Sequence, residues 1–228
     1  IRPLMSAALP EVDPAILATL HSPSLLVFAD RVRINIDRMI ATAGSVQRLR
    51  PHCKTHKMAE VVRLLLEKGI LKHKAATIAE VEMLADVGVL DVVLAYNPVG
   101  PNIGRVVALV QKFPTLRLAV TTDHAVPLRQ LSEACASAGV KVGVMLDLDV
   151  GQHRTGVDPA SELAVGIYQL IHELPGIFPA GFHVYDGHQH QESLAERTSA
   201  VMEVWPFVLQ LKRAVEAKGM QVPELLCG

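Results

Sequence analysis

Residues 48–69, RLRPHCKTHKMAEVVRLLLEKG, predict one strand followed by one helix. LRPHCKTH is typical of a short strand. MAEVVRLLLEKG has apolar residues at helical spacing and closes on Gly69, a common residue just past a helix end. Two histidines, a cysteine and Lys54 lie where the two halves meet. The segment is therefore a strand–helix unit with a lysine at its junction.

The same strand–helix pattern recurs along the chain. Alternation of this kind favours a mostly parallel α/β sheet. From residue 49 onward we count seven strands, one short of the eight that close a TIM-type barrel. No G-x-G-x-x-G follows the first strands, which disfavours a doubly wound open sheet. The prediction is a (β/α)8 barrel that stops before closure. Besides LRPHCKTH, the predicted strands are SLLVFA (24–29), HKAATI (73–78), DVVLAYN (91–97), LRLAVTT (116–122), KVGVMLDLD (141–149), PAGFHVYDG (179–187) and PELLCG (223–228).

Composition narrows the class of protein. The 228 residues are 50% hydrophobic, which is enough for one sizeable core. Lysine and arginine total 22 against 23 acidic residues, so the net charge of −1 indicates neither a nucleic-acid nor an anionic-membrane partner. We expect a small-molecule substrate.

Cysteine content and hydropathy indicate in which cellular compartment the protein is expected. Cys53, Cys135 and Cys227 are odd in number and widely spaced, so they indicate neither a disulfide framework nor a structural zinc site. No apolar run approaches the roughly 18 residues of a membrane span. The first residues, IRPLMSAALPEVD, lack the pattern of a signal peptide. A cytoplasmic protein is expected.

The alternation of side chains between the two faces of a strand predicts which residues surround Lys54. In LRPHCKTH, Arg50, His52 and Lys54 share one face, which would point into the barrel near a strand's C-terminal end, where barrel enzymes place their active sites. A lysine among cations and partly desolvated favours its neutral amine, the form that attacks a carbonyl to make a Schiff base. The alternative is a surface lysine leading into a helix.

A second group of residues lies in VMLDLDVGQHRTGV, residues 144–157. Asp147 and Asp149 share a strand face, and Arg154 follows in a glycine-bracketed loop at the same end of the sheet as Lys54. The guanidinium can bind a carboxylate, phosphate or phenolate oxygen. Alternatively, Arg154 pairs with Asp147 or Asp158.

A third group lies in GFHVYDGHQH, residues 181–190. His183 and Tyr185 would point inward, and His188 and His190 lie in the following loop. An aromatic ring here could support a flat cofactor, and a loop histidine could move protons near neutral pH. The alternatives are solvated loop histidines or an H-x-H metal pair without its other ligands.

These three motifs resemble one enzyme family. RPHCKTHK is similar to the lysine motif of fold-type III pyridoxal-phosphate (PLP) enzymes, in particular the D-threonine aldolase and D-serine dehydratase group. DLDVGQHRTGV and GFHVYDGH resemble that group's arginine loop and tyrosine segment. The resemblance implies an alanine-racemase-like barrel over residues 23–228, after an N-terminal segment of residues 1–22. A β domain would follow, and SLLVFA would pair with it.

The resemblance also implies roles for single residues. Lys54 would hold PLP covalently, Arg154 would contact its O3′ side, and Tyr185 would lie against its ring. His188 or His190 would be the catalytic acid/base. Further cofactor contacts would be His52, Thr77 and Gly228, the last at the start of the phosphate-binding loop. A divalent metal, Mn or Zn, is expected through residues beyond this chain, and none of the residues present is assigned to it.

The implied activity is cleavage of a D-3-hydroxy amino acid. D-threonine aldolase activity, giving glycine and an aldehyde, is the first expectation. D-serine dehydratase, amino-acid racemase and a non-catalytic PLP carrier of the single-barrel type are the alternatives. A homodimer is expected. Because a barrel must pair its first and last strands, these residues should leave an open sheet edge beside PELLCG or have it covered by another segment.

Overall fold

The computed structural model describes residues 12–228 and contains one parallel sheet. Its six strands are hydrogen-bonded in chain order, β1 to β6, and helices connect them. The predicted parallel α/β architecture is confirmed. The strands are β1 (Lys72–Ala75), β2 (Asp91–Leu94), β3 (Arg117–Thr122), β4 (Val142–Leu148), β5 (Ile177–Val184) and β6 (Leu225–Cys227).

Eight helices accompany the sheet in the described part of the chain. Several begin at a side chain that accepts a backbone N–H of the first turn: Thr77 for α4, Ser161 for α7 and Ser193 for α8. The helices are α1 (Pro14–Leu17), α2 (Ala29–Ala43), α3 (Ala59–Glu67), α4 (Ile78–Asp86), α5 (Pro101–Lys112), α6 (Ala125–Ser137), α7 (Glu162–Glu173) and α8 (Leu194–Glu216). None of them is long and apolar enough to cross a membrane.

The two faces of the sheet differ in chemistry because side chains alternate along each strand. On β4, Val144 and Leu146 belong to the large apolar core shared with the helices. Met145 belongs instead to a small apolar cluster inside the curved sheet, with Val93, Ala119, Ala180 and Leu226. Polar and charged side chains flank this small cluster on two sides, toward the C-terminal and toward the N-terminal ends of the strands. Those at the C-terminal ends, called the upper end of the sheet below, form the candidate site.

The prediction of a full strand over LRPHCKTH is wrong. This segment makes one parallel bridge, between His52 and Lys74, with the Lys74 N–H donating to the Pro51 carbonyl. The chain then turns into a short 3₁₀ helix, Cys53–Thr55, because the His52 side chain accepts the backbone N–H of Lys54. The first strand is thereby reduced to one pairing position.

SLLVFA does not form a strand in this structure either. Residues 24–28 have no regular secondary structure, and Leu25, Leu26 and Val27 are exposed. No described strand lies beside this segment to supply hydrogen bonds. The division into residues 1–22 and 23–228 stays a prediction, since residues 1–11 lie outside the described part.

The predicted open edge is confirmed. Among the described residues, β6 pairs only with β5, so its other side carries no strand. A cavity of about 680 Å³ separates β6 from residues 47–54 on the opposite edge. Gly181 lets β6 pack closely, because a Cβ there would lie 1.8 Å from the Glu224 carbonyl oxygen.

Arg50 crosses this gap at the lower end of the sheet. Its guanidinium donates to Asp91 at 2.6 Å and to Glu224 at 3.0 Å. Both carboxylates lie at the N-terminal ends of strands, whereas the sequence placed Arg50 beside Lys54 at the C-terminal end. The alternation rule identified the face of Arg50 correctly but not its height along the barrel.

Candidate active site

A cavity of about 520 Å³ opens at the C-terminal ends of the strands, the end at which barrel enzymes place their chemistry. This volume lies within the usual range of small-ligand sites, about 300–1,000 Å³. Polar side chains from several strand ends meet in its wall. They include His52, Lys54, Lys74, Asn97, Thr121, Asp123, Asp147, Arg154, His183 and Tyr185.

A buried carboxylate fixes the turn that carries Lys54. Glu80, in the first turn of α4, is 5% exposed and accepts the Ala76 N–H at 2.7 Å. The Cys53 thiol lies 3.6 Å from the same oxygen, and Lys57 donates to the other oxygen. Residues on both sides of Lys54 are thus tied to α4, so its backbone is positioned independently of any ligand.

Three cations surround the ring of Tyr185. Lys54 Nζ lies 5.6 Å from the ring centroid, Lys74 Nζ 5.2 Å and Arg154 Cζ 5.4 Å. The alternative that Arg154 pairs with Asp147 or Asp158 is not observed among the described residues. The sequence predicts that Lys54, Arg154 and Tyr185 lie close together, and the structure places both cations at these distances from the Tyr185 ring.

Asp147 and His183 form a buried pair in the cavity wall. His183 Nδ1 lies 2.6 Å from Asp147 Oδ1. Because a carboxylate accepts, Nδ1 carries the proton and Nε2 keeps its lone pair. Burial lowers the pKa of His183 despite the carboxylate, so the imidazole is neutral. Within residues 12–228 its Nε2 is buried without a hydrogen-bond partner, and it can act as an acceptor.

His52 is held neutral as well. Burial and the nearby Lys54 and Lys74 charges lower its pKa to about 4. Its Nδ1 is occupied by the Lys54 N–H at 3.2 Å. His52 therefore supports the lysine turn and lines the cavity without adding charge.

The other predicted site residues lie outside this cavity wall. Thr77 is the N-cap of α4, and Gly228 lines the neighbouring cavity at the open edge. His188 packs against Gly151 and contacts the Gln189 side chain, and His190 is exposed. Their catalytic and cofactor roles stay predictions.

The sequence reasoning missed Lys74, Asp123 and Asn97. Asp123 accepts from the Asn97 amide at 2.9 Å and from the Gly156 N–H at 3.1 Å, so it anchors the loop that carries Arg154. Alternation along KHKA could have placed Lys74 inward. No local pattern marks Asp123 or Asn97, because they meet across two strand ends.

One group of residues has metal-ligand chemistry. Potential ligand atoms of His52, Cys53 and Glu80 lie within 4.8 Å of one another. Both Glu80 oxygens already accept hydrogen bonds, and burial beside Glu80 raises the pKa of the Cys53 thiol to about 12, which disfavours the thiolate. In this arrangement the group stabilises the lysine turn. The metal expected beyond this chain stays a prediction.

Residues 27–227 match the family described as alanine racemase, N-terminal domain. The chain belongs to this family. It is the family of fold-type III PLP enzymes, as the lysine motif indicated.

The alanine racemase N-terminal domain family contains relatives that act on D-amino acids. The chain is 32% identical to a D-threonine aldolase of Arthrobacter sp. over 81% of this chain and 48% of the relative. It is 28% identical to a 3-hydroxy-D-aspartate aldolase of Paracoccus denitrificans over 97% of this chain and 56% of the relative. The crystal structure of D-threonine aldolase from Filomicrobium marinum superposes with a TM-score of 0.84 at 28% identity, over 93% of this chain and 57% of that one. The chain thus spans about half the length of these relatives.

The residues present fit the family's cofactor. PLP is a flat, anionic aldehyde, and the cavity offers a lysine amine, an aromatic ring and two further cations around that ring. The pocket is large enough, and its lysine turn is fixed by Glu80.

Proposed function

We propose that the protein is a PLP-dependent lyase of D-3-hydroxy amino acids, and specifically a D-threonine aldolase. The observation that carries the proposal is the convergence of Lys54, Arg154 and Tyr185 at the C-terminal end of the sheet. Similarity to a D-threonine aldolase and to a 3-hydroxy-D-aspartate aldolase supports the substrate class. When bound, PLP supplies an electron sink for a carbanion at the substrate's Cα.

In this proposal each residue has a distinct task. The Lys54 amine would hold the cofactor covalently, at the position that the amine of the substrate occupies during the reaction. The Arg154 guanidinium would bind the O3′ oxygen of the cofactor, and the Tyr185 ring would support the cofactor ring. His188 or His190 accepts the proton of the substrate's 3-hydroxyl, which must leave before the Cα–Cβ bond breaks. A divalent metal bound elsewhere in the complete protein would lower the pKa of that hydroxyl.

The alternatives differ in which bond breaks. A D-serine dehydratase removes the α-proton and then hydroxide, and a racemase returns the proton to the opposite face. Similarity to a D-serine dehydratase of Dictyostelium discoideum, 28% identical over 67% of this chain, keeps the first of these as the second candidate. The RPHCKTHK motif around Lys54 favours the lyases over a single-barrel PLP carrier, whose lysine motif lacks this pattern.

Product analysis distinguishes these activities. The full-length protein, supplied with PLP and Mn²⁺, is incubated with D-threonine and then with D-serine. We expect glycine and acetaldehyde from D-threonine. Pyruvate from D-serine without aldehyde from D-threonine would establish the dehydratase instead, and formation of the L-isomers alone would establish a racemase.

The role of Lys54 is tested without turnover. Borohydride treatment of the PLP-loaded protein should fix the cofactor to the peptide that contains Lys54, as measured by mass spectrometry. Lys54→Ala should abolish the adduct, whereas Lys57→Ala, three residues away, should retain it. An adduct that persists in Lys54→Ala would contradict the assignment.

A further inference from the structure

Lys74 is a buried cation to which the proposed function assigns no role. It lies on β1, is 6% exposed and reaches the same Tyr185 ring as Lys54. In the described part of the chain no carboxylate lies within ion-pair distance of its ammonium. Burying an unpaired charge costs free energy, so a site that retains one commonly binds an ion of opposite sign.

The anionic side chains near Lys74 already have partners. Asp147 is hydrogen-bonded to His183, and Asp123 accepts from Asn97 and from the backbone of residue 156. These partners are neutral, so both carboxylates keep their charge. Three cations, Lys54, Lys74 and Arg154, face these two carboxylates in the cavity wall, which leaves one surplus positive charge. Burial and the neighbouring Lys54 charge lower the pKa of Lys74 to about 8, so most of it remains protonated at neutral pH. An anionic oxygen of a ligand would complete the site.

Under the proposed function, the cofactor and the substrate together carry three anionic groups, and two of these groups are bound by other parts of the protein. The resemblance assigns the cofactor's phenolate oxygen to Arg154 and its phosphate to a glycine loop at the open edge. No residue has been assigned to the third anionic group, the carboxylate of the substrate. If the substrate amine takes the position of the Lys54 amine, its carboxylate carbon lies two bonds from that position. Lys54 and Lys74 approach the same Tyr185 ring, at 5.6 and 5.2 Å from its centroid, so this carboxylate would come near Lys74.

We infer that Lys74 binds the carboxylate of the amino-acid substrate and so selects amino acids over simple amines. The inference rests on the proposed function, since it requires the substrate to replace Lys54 on the cofactor. It makes Lys74 a specificity-determining residue. Lys72 provides a matched control: it lies two residues earlier on β1, but its ammonium pairs with Glu224 at the other end of the sheet, 3.3 Å away.

The test measures ligand binding in the PLP-loaded, full-length protein through changes in cofactor absorbance. D-alanine and D-alaninol form a suitable pair, because they differ only at the carboxylate, which is a hydroxymethyl group in D-alaninol. Binding is read from the initial absorbance change, before any turnover at that hydroxyl. Lys74→Met should weaken D-alanine binding at least about tenfold, as expected for loss of a charged hydrogen-bond partner. Binding of D-alaninol should change less than about twofold, since it lacks that interaction. Lys72→Met should leave both affinities unchanged.

Two further measurements keep the inference open to refutation. If Lys74→Met does not fold, Lys74→Gln and Lys74→Arg replace it, and only the arginine variant should keep the preference for D-alanine over D-alaninol. Cofactor affinity is measured with PLP and with pyridoxal. Equal losses of affinity for D-alanine and D-alaninol would overturn the inference. So would a variant that binds PLP more weakly but binds pyridoxal as well as wild type does, since Lys74 would then bind the cofactor phosphate. A wild-type protein that forms no borohydride-reducible adduct would instead overturn the proposed function.

Discussion

Replacing Arg50 with methionine should weaken the connection between the two edges of the open sheet. The guanidinium donates to Asp91 at 2.6 Å, to both oxygens of Glu224 at 3.0 and 3.3 Å, and to the carbonyl of His73 at 3.3 Å. Arg50 and His73 lie at the edge formed by β1, and Glu224 immediately precedes β6 at the other edge. One side chain, 3% exposed, therefore joins both edges.

The magnitude follows from burial. Removing one partner of a buried ion pair typically costs about 3–5 kcal/mol. The Asp91 and Glu224 side chains are 20% and 25% exposed, so water and neighbouring cations compensate part of the loss. We expect the free energy of unfolding to fall by about 3 kcal/mol. Arg117→Met is the control, because Arg117 contacts the same Asp91 but is 57% exposed, and its loss should cost less than about 1 kcal/mol.

Urea unfolding of the full-length protein, followed by circular dichroism, measures both variants. With an m-value of about 2–3 kcal/mol/M, the midpoint of Arg50→Met should fall by about 1–1.5 M. Arg50→Lys should lie between that variant and wild type, because lysine keeps the charge but not the planar fork of donors. Equal midpoints for Arg50→Met and Arg117→Met would refute the reasoning, since the bridging contacts would then contribute no more than a surface pair.

Two other substitutions probe the sheet edge and the lysine turn. Gly181→Ala should cost at least about 2 kcal/mol, because φ is +119° there and the new Cβ would lie 1.8 Å from the Glu224 carbonyl oxygen. Thermal melting checks this, and an unchanged melting temperature would contradict it. Glu80→Gln should destabilise the protein at neutral pH. Burial alone would raise the pKa of the Glu80 carboxyl, but hydrogen bonds from Lys57 and the Ala76 N–H bring it below its usual value. The ionised carboxylate therefore stabilises the fold above the ordinary carboxyl pKa, and this contribution is lost as the pH falls through the lowered pKa. The difference from wild type should shrink in acid, and a pH-independent difference would argue against this account.

The sequence by itself determined the alternation of strands and helices, because strands buried on both faces of a parallel sheet appear as short apolar runs. VGVMLDL, for example, became β4 over Val142–Leu148. The motif around Lys54 and the two later motifs identified Arg154 and Tyr185 as its neighbours, since loops after parallel strands gather at one end of a barrel. The open edge beside β6 followed from counting strands.

Only the tertiary structure decided how far along the barrel each side chain lies and which side chains meet. Arg50 and Lys54 share a strand pattern, yet one binds carboxylates at the lower end and the other lines the upper cavity. The predicted first strand became a turn because His52 captures the Lys54 N–H and Glu80, from a distant helix, binds the residues around it. Lys74 acquires its surroundings in the same way. Strand periodicity specifies a face, but the register between strands is set by hydrogen bonds and packing between segments far apart in the chain.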